Sequence, residues 1–219
     1  MSVVYTPPTP AGGDNSTAYQ SVLGICNMAL LNLGAEQITA MDEGTEVADA
    51  CSLAWPQVRD IVLAAREWHC AIKRHALVLD TTSTLVTEDW DYVFDLPADS
   101  DLLRVVAVLD SEGVPLDWRL EQVPTDDTVS KILCDEDEAF CRYIYRNNTP
   151  STYSAGLRQA LVVRLAAEIS PRFKGSKRGR DELMLEYHKM VLPEADAENA
   201  KMQSSFPSEY GSALWGDAR

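Results

Sequence analysis

Basic side chains are scarce: 19 Lys and Arg stand against 34 Asp and Glu in 219 residues, a formal charge of −15. That balance excludes a free DNA-binding domain, because binding through counterion release needs clustered cations facing phosphate. Histidine is scarcer still, with only His69, His75 and His188. His69 and His75 lack the i, i+4 spacing that puts two ligands on one helical face, and no Cys or carboxylate joins them at a metal spacing, so no metal site is expected. The phosphate-cradling G-x-x-x-x-G-K-S/T, the dinucleotide fingerprint G-x-G-x-x-G and the nucleophile elbow G-x-S-x-G are all missing. A Cys-His nucleophile pair at His69-Cys70 fails on geometry, since adjacent side chains on a helix diverge. The chain is read as non-enzymatic, with no catalytic residue and no cofactor.

Long apolar runs are absent too, and nothing approaches the roughly 20 residues needed to span a bilayer. Met1 to Gln20 has neither a basic residue nor the apolar stretch of a secretory signal, so retention in a cytosol is expected. The five cysteines, Cys26, Cys51, Cys70, Cys134 and Cys141, include no C-x-x-C pair. Buried free thiols are the expectation in a reducing compartment.

At 46% hydrophobic and 24% charged residues, the chain has enough apolar material for a packed core. Residues 1–18, rich in Pro, Gly, Ser and Thr, read as an extended arm. Val22, Cys26, Ala29, Leu30 and Leu33 recur at helical spacing, with Gly34 at the stop position. A second helical stripe runs through Val47, Cys51, Ala54, Val58, Ile61, Val62 and Ala65 towards Trp68, with Pro56 expected to kink or restart it. From Asp80 to Pro150 the period falls to two. Trp90, Tyr92, Phe94 and Leu96 alternate with acids, Leu102 to Leu109 reads as a buried strand, and Leu116, Trp118 and Leu120 alternate again. Val129–Cys134 and Phe140–Tyr145 flank Asp135-Glu136-Asp137-Glu138 and predict a hairpin with Cys134 and Cys141 opposite each other. A helix with Leu157, Leu161, Leu165 and Ile169 follows and is expected to end at Pro171. A basic link leads to a last helix with Leu183, Met184, Tyr187, Met190 and Val191 on one side, interrupted at Pro193 and fading near Met202.

The expected fold class is α+β. A four-helix-type bundle (residues 19–79 and 151–203) carries a small antiparallel β lobe (80–150) inserted between helices two and three, with an extended N-terminal arm and a C-terminal tail (204–219). Phe206, Tyr210, Leu214 and Trp215 on the otherwise polar tail are candidate docking anchors.

Charge is segregated along the chain. Residues 80–138 hold 17 acidic and 3 basic side chains, whereas residues 158–180 hold seven basic ones against Glu168. A single charge run is ordinary solvated surface. Two blocks of opposite sign in different parts of a small chain favour self-association or docking on a charged partner. The carboxylate pairs within Asp135 to Glu138 are no sign of a glycosidase, because an acid-base pair needs a pocket to raise one pKa and a turn is wet.

Ile25-Cys-Asn-Met-Ala-Leu-Leu-Asn-Leu-Gly34 with Ile38, then Trp55-Pro-Gln-Val-Arg-Asp60 leading to Leu63 and Trp68 with Ala71 and Arg74, resembles the head-to-tail adaptor (connector) proteins of tailed bacteriophages. Trp90-Asp-Tyr-Val-Phe-Asp-Leu-Pro97 and Asp101-Leu-Leu-Arg104 are similar to the same family's aromatic strand, Leu-Pro turn and following strand. The likeness spans about Tyr19 to Met202 and is greatest to the tail tubular protein A type of short-tailed phages. The resemblance implies a virion protein at the head–tail junction, assembled in the host bacterial cytoplasm. Its subunits are expected to form a dodecameric ring under the portal protein, to meet the tail nozzle or hub protein on the other face, and to let genomic DNA pass without holding it. No membrane contact is implied. On this view Asp135, Glu136, Asp137 and Glu138 face the channel. Arg172, Lys174, Lys177, Arg178 and Arg180, together with the four tail anchors, dock on the portal or a neighbouring subunit. Two other functions compete with this one: a peptidoglycan hydrolase associated with the adaptor, and a DNA-end-binding component using residues 172–180.

Overall fold

The computed structural model describes residues 20–82, 89–124, 126–174 and 177–202. Helix α1, Val22–Leu33, starts where the Ser21 hydroxyl accepts the Gly24 N–H at 3.0 Å. It stops at Gly34, whose φ of 68° suits a residue without Cβ, while Gly34 and Ala35 return their N–H groups to Leu31 and Leu30. Asn27 then grips both backbone groups of Ile38 at 2.9 Å, tying the connection back to α1. Thr45 caps α2, Glu46–Ala65, by accepting the Ala48 N–H at 3.2 Å. Pro56 does not break α2: Pro56 and Ser52 lie on its exposed side, where water reaches the carbonyl that the proline leaves unpaired.

The proline readings further on are corrected for related reasons. Helix α3, Ala155–Lys174, runs through Pro171. The ring deprives the Ala167 carbonyl of its helical donor, and the Ser170 hydroxyl supplies the substitute at 3.1 Å. Helix α4, Lys177–Glu186, passes into a π turn, Tyr187–Val191, and then into α5, Leu192–Met202. In the π turn the Leu192 N–H reaches back to the Tyr187 carbonyl, and the extra residue gives Pro193 room. The segment read as a basic link is therefore a helix end and a helix start.

Eight antiparallel strands form two sheets: β1 (Ile72–Ala76), β2 (Val78–Leu79), β3 (Tyr92–Asp95), β4 (Leu102–Leu109), β5 (Pro115–Leu116), β6 (Arg119–Val123), β7 (Asp126–Cys134) and β8 (Phe140–Tyr145). The first sheet has the order β1-β8-β4-β5 and the second β2-β3-β7-β6. The chain changes sheet between β1 and β2, β3 and β4, β5 and β6, and β7 and β8. The chain thus passes back and forth between the two sheets. Phe94, Val105, Val108, Ile132, Cys134, Cys141 and Tyr143 from the two sheets make one core between them.

The expected hairpin at residues 135–138 is incorrect. β7 pairs with β3 and β6, whereas β8 pairs with β1 and β4. Cys134 lies opposite Tyr92 and Cys141 opposite His75 and Val108; both thiols are free and buried. Alternation alone cannot distinguish a turn that folds a strand back from one that crosses to a facing sheet.

A four-helix bundle with a small β lobe is likewise corrected; only the mixed α and β class stands. The protein is about 48% helix and 24% strand, with two full sheets. Residues 72–79, expected within the bundle, are β1 and β2. Helices α1, α2, α4 and α5 each pack on α3, which acts as a hub. Their core is closed by the first sheet: Ile144 is fully buried in it, and Leu103 and Val106 pack against it. Register shifts in β4 after Leu102 and Val105 turn Leu103 and Val106 towards the helices while Val105 and Val108 face the sandwich.

Polar clamps hold helices and sheets together. Arg146, beyond β8, donates to Asp60 of α2 at 2.9 Å and to Asp101 at 3.2 Å. The buried Asn147 amide donates to the Cys70 carbonyl and the Thr152 hydroxyl, both at 2.8 Å, and its own carbonyl oxygen accepts the Thr149 N–H. Asn199 of α5 donates to the Glu67 carbonyl at 2.8 Å and accepts the His69 N–H at 3.0 Å.

Candidate interaction surfaces

All four residues Asp135 to Glu138 are exposed in the turn between β7 and β8. The Asp135 carboxylate accepts the Asp91 N–H at 3.2 Å. Register carries more acids to the same end of the sandwich. Leu109 pairs with both Phe140 and Pro115, which puts the turn bearing Asp110 and Glu112 beside the first. Arg119 pairs with Leu133, which brings Asp117 near. Asp110 is occupied locally, its carboxylate accepting the Glu112 and Val114 N–H groups at 2.9 and 2.8 Å.

The three basic residues of the acidic block do little to offset this end. Lys131 is buried between Asp80, at 2.7 Å, and Asp95, at 2.5 Å. Hydrogen bonds from Lys131 and Thr82 hold the Asp80 carboxyl at about 2, below the ordinary range. Bonds to Asp80 and Asp95 push the Lys131 ammonium up. Arg104 donates to the Ala64 carbonyl of α2 at 3.1 Å, and Arg119 pairs with Glu121 at 3.5 Å. Arg74 of β1, exposed, lines a recess with Asp110 and Glu112; at the turn itself Asp135 to Glu138 are solvated carboxylates whose field extends about a Debye length, roughly 8 Å at physiological salt.

The basic block is partly used inside the helical layer. Glu168 of α3 takes two arginines, Arg164 at 2.6 Å and Arg180 at 2.9 Å, and Arg164 also lies over the Tyr187 ring at 5.8 Å. Arg172 is exposed and lines a groove between α2 and α3. Lys174, Lys177 and Arg178 lie in helical backbone, and their side chains lie outside the described residues, as do Phe206, Tyr210, Leu214 and Trp215 in full. The described structure therefore brings the acidic residues together with further acids, and engages Arg180 with Glu168 while Arg172 stays exposed at the groove.

Sequence reasoning missed three features here. Glu168 looked like a lone acid among cations, yet it is the bridge from α3 to α4. Leu53 lies off the buried stripe of α2, and that offset was its signal; it stands 82% exposed at the groove. Met190, expected on the packed side of the last helix, is 59% exposed, because the π turn rotates it outwards.

The polar recess at the edge of the first sheet gathers Lys73, His75, Asp99 and Tyr143. Its carboxylate is already committed: Asp99 accepts from Lys73 at 2.8 Å and from the Tyr143 hydroxyl at 3.0 Å. Those bonds lower the Asp99 pKa, and burial beside Asp99 pushes the Tyr143 hydroxyl up to about 12. The recess ties β1 to the connection before β4. Among the described residues no cluster of three His, Cys, Asp or Glu is arranged to hold a metal ion. No helix among them is long and apolar enough to cross a membrane.

The fold is an α+β arrangement of a helical layer, centred on α3, against a two-sheet β sandwich. Compared with known proteins, the chain matches no family model and no curated sequence.

Proposed function

We propose that the chain is a structural subunit of a bacteriophage head–tail adaptor ring, joining the portal to the tail and continuing the channel through which the genome passes. The observation that carries this reading is the resemblance of the strings at residues 25–34, 55–60 and 90–97, taken with their positions in the molecule. They include residues with structural work in each layer and one link between them: Asn27 clamps Ile38 beside α1, Phe94 is buried in the sandwich core, and Asp60 of α2 binds Arg146 beyond β8. A resemblance carried by such packing and clamp residues points to an architecture, and its strings fall in both layers.

The acidic end of the sandwich supports a role beside passing DNA, since solvated carboxylates repel phosphate at close range. Replacing Asp135, Glu136, Asp137 and Glu138 by their amides tests that part: genome ejection should slow, and unchanged packaging and ejection would remove the turn from the channel. The whole reading is tested by adding purified chain to genome-filled, tail-less particles and imaging the portal vertex. A ring of added density is expected there. Particles left bare at saturating protein would refute it.

A further inference from the structure

Two of the five cysteines meet inside the helical layer. Cys26 lies on the buried stripe of α1 and Cys51 on that of α2; both are fully buried in the same core, and their thiols are hydrogen-bonded to each other. The other three are placed differently. The Cys134 thiol turns to the Glu136 carbonyl at 3.6 Å, Cys141 sits on β8 opposite His75 and Val108, and Cys70 is half-buried just after α2, beside the Asn147 clamp.

The backbone around the pair is fixed independently of the sulfurs. Asn27, next to Cys26, grips both backbone groups of Ile38 at 2.9 Å. Ser52, next to Cys51, donates to the Met41 carbonyl at 2.6 Å. Both neighbours are thus tied to one short stretch of the α1–α2 connection, which Glu43 braces by accepting the Thr39 N–H at 2.7 Å and the Thr45 hydroxyl at 2.8 Å. The helices are held with the two thiols in contact and no covalent bond between them.

We infer that Cys26 and Cys51 form a redox couple: a small peroxide joins them in a disulfide that staples α1 to α2, and a thiol reductant reopens it. The two sulfurs are unequal. Their shared hydrogen bond, together with burial, pushes the Cys26 pKa up, whereas the same bond draws that of Cys51 down. Cys51 is therefore the attacking thiolate. Its sulfur takes one oxygen of hydrogen peroxide as the O–O bond breaks, giving a sulfenic acid and one water. The Cys26 sulfur then displaces that hydroxyl, so that the Sγ–Sγ bond forms and a second water leaves. Two thiols are oxidised, one peroxide is reduced to two waters, and the protons come from the thiols. Both sulfurs are shielded from solvent, so the reaction waits on local opening, which admits peroxide far more readily than a bulky reagent. The bond closes residues 27–50 into a loop and restricts the unfolded chain. None of this chemistry depends on the adaptor reading.

Reduced full-length chain is treated with excess hydrogen peroxide at neutral pH, denatured in N-ethylmaleimide, digested without reductant and mapped by mass spectrometry. A peptide pair linked through Cys26 and Cys51 is expected, with Tm raised by roughly 5–10 °C and restored by dithiothreitol. Cys26→Ala removes the resolving thiol, so Cys51 should stop at the sulfenic acid and take dimedone; in Cys51→Ala the Cys26 thiol should stay reduced over the same time. Circular dichroism checks that both variants fold, and if either does not, the wild-type peptide map and Tm decide alone. Linkage through any other pair, oxidation confined to Cys70, a folded chain left unreacted, or a linked chain whose Tm is unchanged or lowered would each overturn the inference. Dimedone on Cys26 in Cys51→Ala with none on Cys51 in Cys26→Ala would overturn the assignment of Cys51 as the attacking sulfur.

Discussion

Replacing Gly156 by Ala sets two effects of known sign against each other. Gly156 is the second residue of α3, capped through the Ser154 hydroxyl, and its N–H donates to the Glu198 carboxylate of α5 at 2.8 Å. A Cβ there would stand 2.8 Å from the Ala195 Cα and 3.0 Å from its Cβ, as well as 2.4 Å from Glu198 Oε2. The carboxylate is the end of a flexible side chain and can swing away; the Ala195 backbone cannot move without shifting α5. Overpacking of that kind costs about 1–3 kcal/mol, and losing the Glu198 bond adds about 1 kcal/mol. Helix propensity returns at most about 1 kcal/mol. The net is a loss of about 1–3 kcal/mol, which in a chain of this size lowers Tm by roughly 3–10 °C. Differential scanning calorimetry reads it directly. Adding Glu198→Ala to G156A should not restore stability, because the backbone contact remains. A Tm that is unchanged or raised in G156A would mean that propensity prevails and that α3 and α5 are not in close contact at this point.

Asn199→Ala should cost about 2–4 kcal/mol in urea unfolding, because the Glu67 carbonyl and the His69 N–H lose their partner; Asn199→Asp, which keeps only the acceptor, should fall between. Asp80, held at about 2 in the folded chain, contributes stability that is present above about pH 4, the unfolded value, and lost as pH falls through about 2. The urea midpoint of Asp80→Asn should therefore be flatter than wild type across that acid window, and a parallel decline would discount the Lys131 contact. Lys131 has the opposite sign: its raised pKa supports stability below about pH 10.4, lost as pH rises through the folded value. Burial pushes the Cys70 thiol up to about 11, and Cys26, Cys51, Cys134 and Cys141 are buried. Ellman's reagent should thus label the native chain slowly at neutral pH, at Cys70 first, and release all five thiols only on denaturation.

Much of the local structure was legible. Gly34 stops α1 and the apolar stripe of α3 lies inward, because capping and helical period are properties of neighbouring residues. Phe140–Tyr145 is a strand with the bounds that its pattern indicates. The prolines were misread because their effect depends on who replaces the lost donor. Pro171 sits in a helix since Ser170 happens to reach the Ala167 carbonyl, and Pro193 since a π turn precedes it. The acidic turn was visible as a charge run, but its company, Asp91, Asp110 and Asp117, follows from strand register.

The sequence by itself determined the charge surplus, its division into an acidic and a basic block, the helical and extended stretches and the thiol content, since each is a count or a short-range period. Only the tertiary structure decided that β7 and β8 belong to different sheets, that α3 is the hub of the helices, and that Leu53 faces water. Those outcomes depend on which distant residues share a core, and pairing across a hundred residues leaves no mark in local periodicity. The same distinction separates Arg180, bound to Glu168, from Arg172, which is exposed: in sequence both are one basic run, and in space one is already engaged.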